Sequence, residues 1–97
     1  MAGFRLTKAA ETDLKAIARY THQRWGRKQR NKYPRELDQA FERIAANPGL
    51  GTRRDEIREG HLSFLRNRHL IFYRVRKGHV EIVRVLHHRM DIETLLE

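Results

Sequence analysis

Arg68-His69-Leu70-Ile71-Phe72-Tyr73-Arg74-Val75-Arg76, then Lys77-Gly78, then His79-Val80-Glu81-Ile82-Val83-Arg84-Val85-Leu86-His87 is the stretch whose reading decides the fold. Two apolar runs flank a Lys-Gly pair, and a two-residue connection demands an antiparallel hairpin. Upstream, His61 to Leu65 reads as a further strand, with a turn at Arg66-Asn67. These strands do not alternate cleanly. Leu70, Ile71, Phe72 and Tyr73 are consecutive apolar or aromatic residues, and Ile82 and Val83 are neighbours. Such runs predict burial on both faces, with helices over one face and another element over the other.

Ahead of the strands lie two stripes of helical spacing. Phe4-Arg5-Leu6 is a short strand, and Thr7 offers an N-cap hydroxyl to the first helix. Ala10, Leu14, Ile17, Ala18, Thr21 and Trp25 recur at steps of three and four, one face of an amphipathic helix. Gly26 is a natural C-terminal stop. Tyr33, Leu37, Ala40, Phe41, Ile44 and Ala45 form the second stripe, closed by the breakers Asn47-Pro48-Gly49-Leu50-Gly51. The short Trp25-Gly26 connection makes the two helices antiparallel neighbours. Pro34 interrupts the second stripe, so the helix either kinks there or begins its regular part near Tyr33; the kink is the preferred reading. Asp91 is expected to cap a short C-terminal helical turn carrying Ile92, Leu95 and Leu96. The whole is an α+β domain of order βααβββ, an N-terminal antiparallel helical hairpin packed on a small antiparallel sheet.

The chain has 97 residues, enough for one domain over 1–97, and neither repeat nor linker divides it. No apolar run approaches the roughly 20 residues of a membrane span, and the N-terminus lacks the charged and apolar regions of a signal peptide. Cysteine is absent, which excludes disulfides and thiolate metal sites; cytoplasm is the expected location. The formal net charge of +9, mostly arginine, implies an acidic partner, either nucleic acid or an acidic protein. Charge alone does not separate the two.

Two basic clusters could carry chemistry. Arg19, Arg24, Arg27, Lys28, Arg30, Lys32 and Arg35 crowd the tip of the helical hairpin without an intervening acid. They suit a landing site for DNA or an acidic protein, and equally a solvated helix tip. Arg74, Arg84, His87, His88 and Arg89 gather along the last hairpin. Histidine as general base and arginine as phosphorane stabiliser would make a ribonuclease conceivable. The plainer reading pairs Arg84 with Glu81 or Asp91 and leaves His87 as a satisfied histidine at the core edge. It is preferred, because no residue fills a third catalytic role. No metal is expected: His87 and His88 point to opposite faces of a strand, and the other histidines lack ligand spacing. Gly49-Leu50-Gly51 lacks the lysine and helix of a phosphate loop, so no cofactor is expected either.

Trp25-Gly26, Asn47-Pro48, Asp55-Glu56-Ile57-Arg58-Glu59-Gly60, His69, Phe72-Tyr73-Arg74, Arg84-Val85-Leu86-His87 and Arg89-Met90-Asp91 occur in the order and spacing of one family. From Phe4 to about Ile92 the chain resembles the ParE-type toxins of type II toxin–antitoxin systems, within the ParE/RelE superfamily. The resemblance implies a toxin that is not an enzyme. It poisons DNA gyrase by trapping it on cleaved DNA, and a ParD-like antitoxin neutralises it by wrapping it with a flexible segment. Target contact is then expected from Arg58, Arg74, Arg84, His87 and Arg89. Antitoxin contact is expected from Leu62, Phe64, Arg19, Arg24 and Arg27. Nucleic acid would enter only through the antitoxin or the gyrase complex, and no membrane is involved. The RelE branch cleaves mRNA on the ribosome, with basic residues on the strand that here reads Leu62-Ser63-Phe64 and often an aromatic where this chain ends in Leu95-Leu96-Glu97. An RNA-cleaving toxin is therefore the lesser alternative, beside a non-toxic DNA-binding module. Pro34 and the tight, basic turn Arg66-Asn67-Arg68 depart from the ParE pattern.

Overall fold

The computed structural model describes residues 3–25 and 27–87, with side chains described for 3–19 and 35–87. In chain order the elements are β1 (Phe4–Leu6), α1 (Lys8–Trp25), α2 (Arg27–Ala46), a 3-10 turn (Pro48–Leu50), β2 (Thr52–Arg53), β3 (His61–Arg66), β4 (His69–Arg76) and β5 (His79–His87). The sheet has five strands in the order β1-β5-β4-β3-β2.

α1 starts where Thr7 places it. The Thr7 hydroxyl accepts the Ala10 amide (3.1 Å), the N-cap arrangement that removes one orphan donor of the first turn. The two helices then cover one face of the sheet. Ala10, Leu37, Ala40, Phe41 and Ile44 pack on Ile71, Tyr73, Val80, Ile82 and Val85, all buried, with Leu14 and Ile17 at the margin. Burying side chains such as Phe41 or Ile44 stabilises the fold by about 2 kcal/mol each. The ring of Phe4, brought alongside by β1, tilts onto Phe41 at 5.3 Å between centroids.

The other face has a smaller core. Phe72 and Leu86 are buried there, with Ile57 and Leu70 against them. The adjacent aromatics Phe72 and Tyr73 thus serve opposite faces of β4, as the unbroken apolar run predicts. Ile82-Val83 has a different cause. The β4–β5 register pairs Tyr73 with Ile82 but Phe72 with Arg84, so Val83 is the extra residue of a β-bulge.

Three expectations need correcting. The sheet is mixed: β1 runs parallel to β5, with Phe4 opposite Val80 and Leu6 opposite Ile82. No tight turn joins those two strands, so nothing forces them antiparallel. β2 adds a strand to the expected order, pairing Thr52 with Ser63 and Arg53 with Leu62. The turn after β3 is centred on Asn67-Arg68, one residue later than expected, because Asn67 takes a left-handed φ of 55° that asparagine tolerates. α2 begins at Arg27 and its helical backbone continues through Pro34, so of the two readings of that proline the later start near Tyr33 is the one set aside. Gly26 and the expected turn at Asp91, Ile92, Leu95 and Leu96 lie outside the described residues.

Candidate partner-binding surface

The loop between β2 and β3 builds the rim of the second sheet face. Asp55 ties its ends: one carboxylate oxygen accepts the Gly60 amide (2.9 Å) and the other the Arg53 guanidinium (3.0 Å). The Gly60 amide, helped by Arg53, holds the Asp55 carboxyl below its ordinary value of 3.8. Its support of the loop is therefore present above that value and is lost as pH falls through the lowered one. Gly60 has φ 78°, which favours glycine, and the Arg58 carbonyl accepts the His61 amide. Within this frame Ile57 turns onto Phe72 and Leu86, while Arg58 stands exposed. The motif Asp55-Glu56-Ile57-Arg58-Glu59-Gly60 thus acts as a partial lid on the second face and displays Arg58 between the exposed acids Glu56 and Glu59.

Below the loop, Arg54 donates to the Ser63 hydroxyl (2.8 Å), and Ser63 is buried. His61 is buried opposite Arg74, with its Nδ1 3.2 Å from the Glu59 carbonyl, a contact that selects the Nδ1–H tautomer. Arg74 donates to Glu81 (2.7 Å), and Arg76 lies 3.8 Å from the same carboxylate. Among the described residues, two arginines share one acid here. Arg5, opposite Glu81 on the neighbouring strand, is exposed beside them.

Arg84 behaves differently. It makes a two-pronged contact with Asp13 of α1, Nε to Oδ2 at 2.8 Å and Nη2 to Oδ1 at 2.9 Å. Asp13 also accepts the Val85 amide (3.0 Å). Hydrogen bonding to Asp13 raises the Arg84 pKa against the opposing effect of burial. Neither Glu81 nor Asp91 is needed as its partner: Glu81 belongs to Arg74, and Asp91 lies outside the described residues. Arg74 and Arg84 are therefore held apart by separate acids. His87 sits edge-on to His69, with ring centroids 5.6 Å apart, at the far end of the same strands.

Of the residues expected to meet a target, Arg58 and Arg74 border the second face, Arg84 anchors a helix, and Arg89 lies outside the described residues. Of those expected to meet an antitoxin, Leu62 and Phe64 are half-buried under the helices, with the Arg43 guanidinium 5.7 Å above the Phe64 ring. Arg19 is exposed on α1, and the side chains of Arg24 and Arg27 are outside the described set. Asp13, Arg54 and Ser63 are hydrogen-bond partners within this surface that the sequence reading does not single out. Asp13 directly precedes Leu14 of the apolar stripe, the one hint that it faces the sheet.

Residues 4–92 match the family described as the ParE toxin of the type II toxin–antitoxin system parDE. The chain belongs to the ParE toxin family. Among its relatives, Toxin ParE1 of Mycobacterium tuberculosis is 45% identical over 89 residues, 91% of either chain. Toxin ParE1 of Caulobacter vibrioides is 42% identical over 91 residues, 94% of either chain. A solved chain of the chromosomal ParDE system from P. aeruginosa shares the fold, with a TM-score of 0.76 at 19% identity, covering 90% of this chain and 96% of that one. Among the described residues of this ParE-family chain, no group of three or more potential ligands could hold a metal, and no helix is long and apolar enough to cross a membrane.

Proposed function

We propose that this toxin arrests growth by binding DNA gyrase on cleaved DNA, without catalysis of its own, and that a ParD-like antitoxin neutralises it in the cytoplasm. The observation that carries this reading is the separate engagement of Arg74 by Glu81 and Arg84 by Asp13. A ribonuclease would need such arginines converging on one phosphate beside a general base. Here they serve the framework, while Arg58, Arg5 and Arg76 present charge at the surface. Such a surface fits an acidic protein or the DNA held by one. Poisoning is then a matter of differential affinity: whatever binds the cleaved state better than the intact one accumulates it.

The test is incubation of the purified chain with gyrase, supercoiled plasmid and ATP, and then treatment with detergent and protease. Linear plasmid that increases with dose is the expected result. Intact plasmid, from a preparation that still arrests growth, would sink the gyrase reading. Arg58→Glu is expected to lower the linear yield while leaving the fold intact, because Arg58 is exposed at the loop surface.

A further inference from the structure

One row of residues crosses the second face of the sheet from strand to strand. Arg5 of β1 stands opposite Glu81 of β5, and Arg74 of β4 stands opposite the same glutamate from the other side. Arg76 follows two residues along β4, so it shares the face of Arg74. The row continues to His61, which is buried, and beyond it Arg54 is committed to Ser63 and Glu56. The cations at the Glu81 end are held differently. Glu81 engages both β4 arginines through Nε, at 2.7 Å from Arg74 and 3.8 Å from Arg76. A carboxylate held at Nε leaves the two terminal Nη groups of each guanidinium to other acceptors. Among the described residues none takes them, and the two side chains are 37% and 46% exposed. Arg5 is exposed and makes no ion pair among the described residues.

Three arginines thus surround one carboxylate that positions two of them without covering their ends. Arg5 and Arg74 are two strand spacings apart, about 10 Å. One strand of a DNA duplex rises through that distance in about three nucleotides. A planar guanidinium fork matches a phosphate, and arginines at this spacing suit separate groups of one backbone. An acidic protein segment fits less well. Protein interfaces draw most of their energy from buried aromatic and apolar anchors, and the Glu81 end offers no such anchor among the described residues. The exposed large apolar side chains are Val75, which shares the helix side with Tyr73, and Leu65, at the far end of β3 from His61. We infer that Arg5, Arg74 and Arg76 contact the phosphate backbone of DNA directly, with Glu81 as the residue that positions the two β4 guanidiniums. The inference rests on the proposed gyrase reading for where that DNA is met: the toxin touches the strand the enzyme holds, as well as the enzyme.

The experiment follows the full chain binding a fluorescein-labelled DNA duplex of about 20 base pairs, by anisotropy from about 25 to about 150 mM salt. Each phosphate contact contributes about 0.9 to the slope of log affinity against log salt. Arg5→Ala combined with Arg76→Ala is expected to flatten that slope by about 2. Lys8→Ala combined with Lys15→Ala removes equal charge from exposed positions of α1, and is expected to flatten it by less than about 1. Equal flattening by the two variants, or none by the first, overturns the inference. Poly-glutamate at matched charge is expected to displace the duplex poorly. Displacement as effective as that by unlabelled duplex points to an acidic protein instead and also overturns it. The unsubstituted chain provides a reading that no folding defect can obscure: the Nε–H resonances of Arg5 and Arg76 are expected to shift as duplex is added, and a bound duplex that moves neither sinks the contact. With gyrase present, the arginine variant is expected to need about tenfold more toxin for the same yield of linear plasmid. Equal potency of variant and parent removes the contact and leaves the gyrase reading standing. No linear plasmid from the parent chain removes the gyrase reading, while the salt slopes, which need no gyrase, still decide the contact.

Discussion

Both edges of the sheet pose the same problem and receive opposite answers. β1 and β2 are each too short to cover the strand beside them. Beyond β1, the bare part of β5 is sealed by α1: the Thr7 hydroxyl donates to the Val83 carbonyl (2.7 Å), and the Asp13 carboxylate takes the Val85 amide together with Arg84. Beyond β2, no such side chain among the described residues meets the Leu65 groups of β3. The difference lies in where the chain goes next. After Leu6 it turns at once into a helix that runs along the strand it has just left. Ahead of Thr52 it comes from a 3-10 turn held against β4 instead. There the Tyr73 hydroxyl donates to the Pro48 carbonyl (2.7 Å) and accepts the Gly51 amide (2.8 Å). A short edge strand is thus protected or exposed by its neighbour in sequence, not by its own length.

The contrast can be broken most severely at Asp13. Asp13→Ala leaves Arg84 without its carboxylate and the Val85 amide without its acceptor, and the Asp13 side chain is only 12% exposed. A loss of about 3 kcal/mol is expected, toward the lower end for a buried pair with one member removed. Chemical denaturation measures it, and a loss under about 1 kcal/mol would mean that water replaces the seal. Gly51→Ala should come next. A Cβ there would lie 2.7 Å from the Ser63 carbonyl oxygen, so backbone must move, at a cost of about 2 kcal/mol. Thermal melting of that variant, unchanged from the parent, would argue against so close an approach. Thr7→Ala removes both the helix cap and the bond to Val83, for about 1 kcal/mol; Thr7→Ser should recover most of it. Smallest is Leu65→Lys at the open edge, expected within about 0.5 kcal/mol of the parent. A large destabilisation there would show that the edge is not open in solution.

Much of this arrangement is legible in the residues, and the illegible part has a common cause. β5 starts where expected because Lys77-Gly78 fixes that boundary, and the apolar run carries it through His87. Thr7 declares itself as a cap through chemistry local to its helix. β2 does not declare itself: Thr52 and Arg53 are both exposed and carry no periodic signal, and only the side of β3 defines them as a strand. The parallel pairing of β1 with β5 joins residues more than seventy positions apart, which no local pattern encodes. At the candidate surface, Arg58 and Arg74 could be placed near the second face from strand order alone. Asp13 could not, since an acid inside an amphipathic helix ordinarily reads as part of its solvated side. Its partner Arg84 is assigned to Glu81 or Asp91 in the sequence for the same reason.

The bulge at Val83 has a consequence for how this chain can change over generations. Removing that one residue would leave Ile82 opposite Tyr73, Arg84 opposite Phe72 and Val85 opposite Ile71, as they already stand. For the sheet, Val83 is a spare residue, and a single-codon deletion there would preserve every cross-strand neighbour. The first helix would notice, because Thr7 would lose the carbonyl it binds. A lineage that sheds this residue is expected to alter position 7 as well, so that the two sites, distant in sequence, are inherited as a pair.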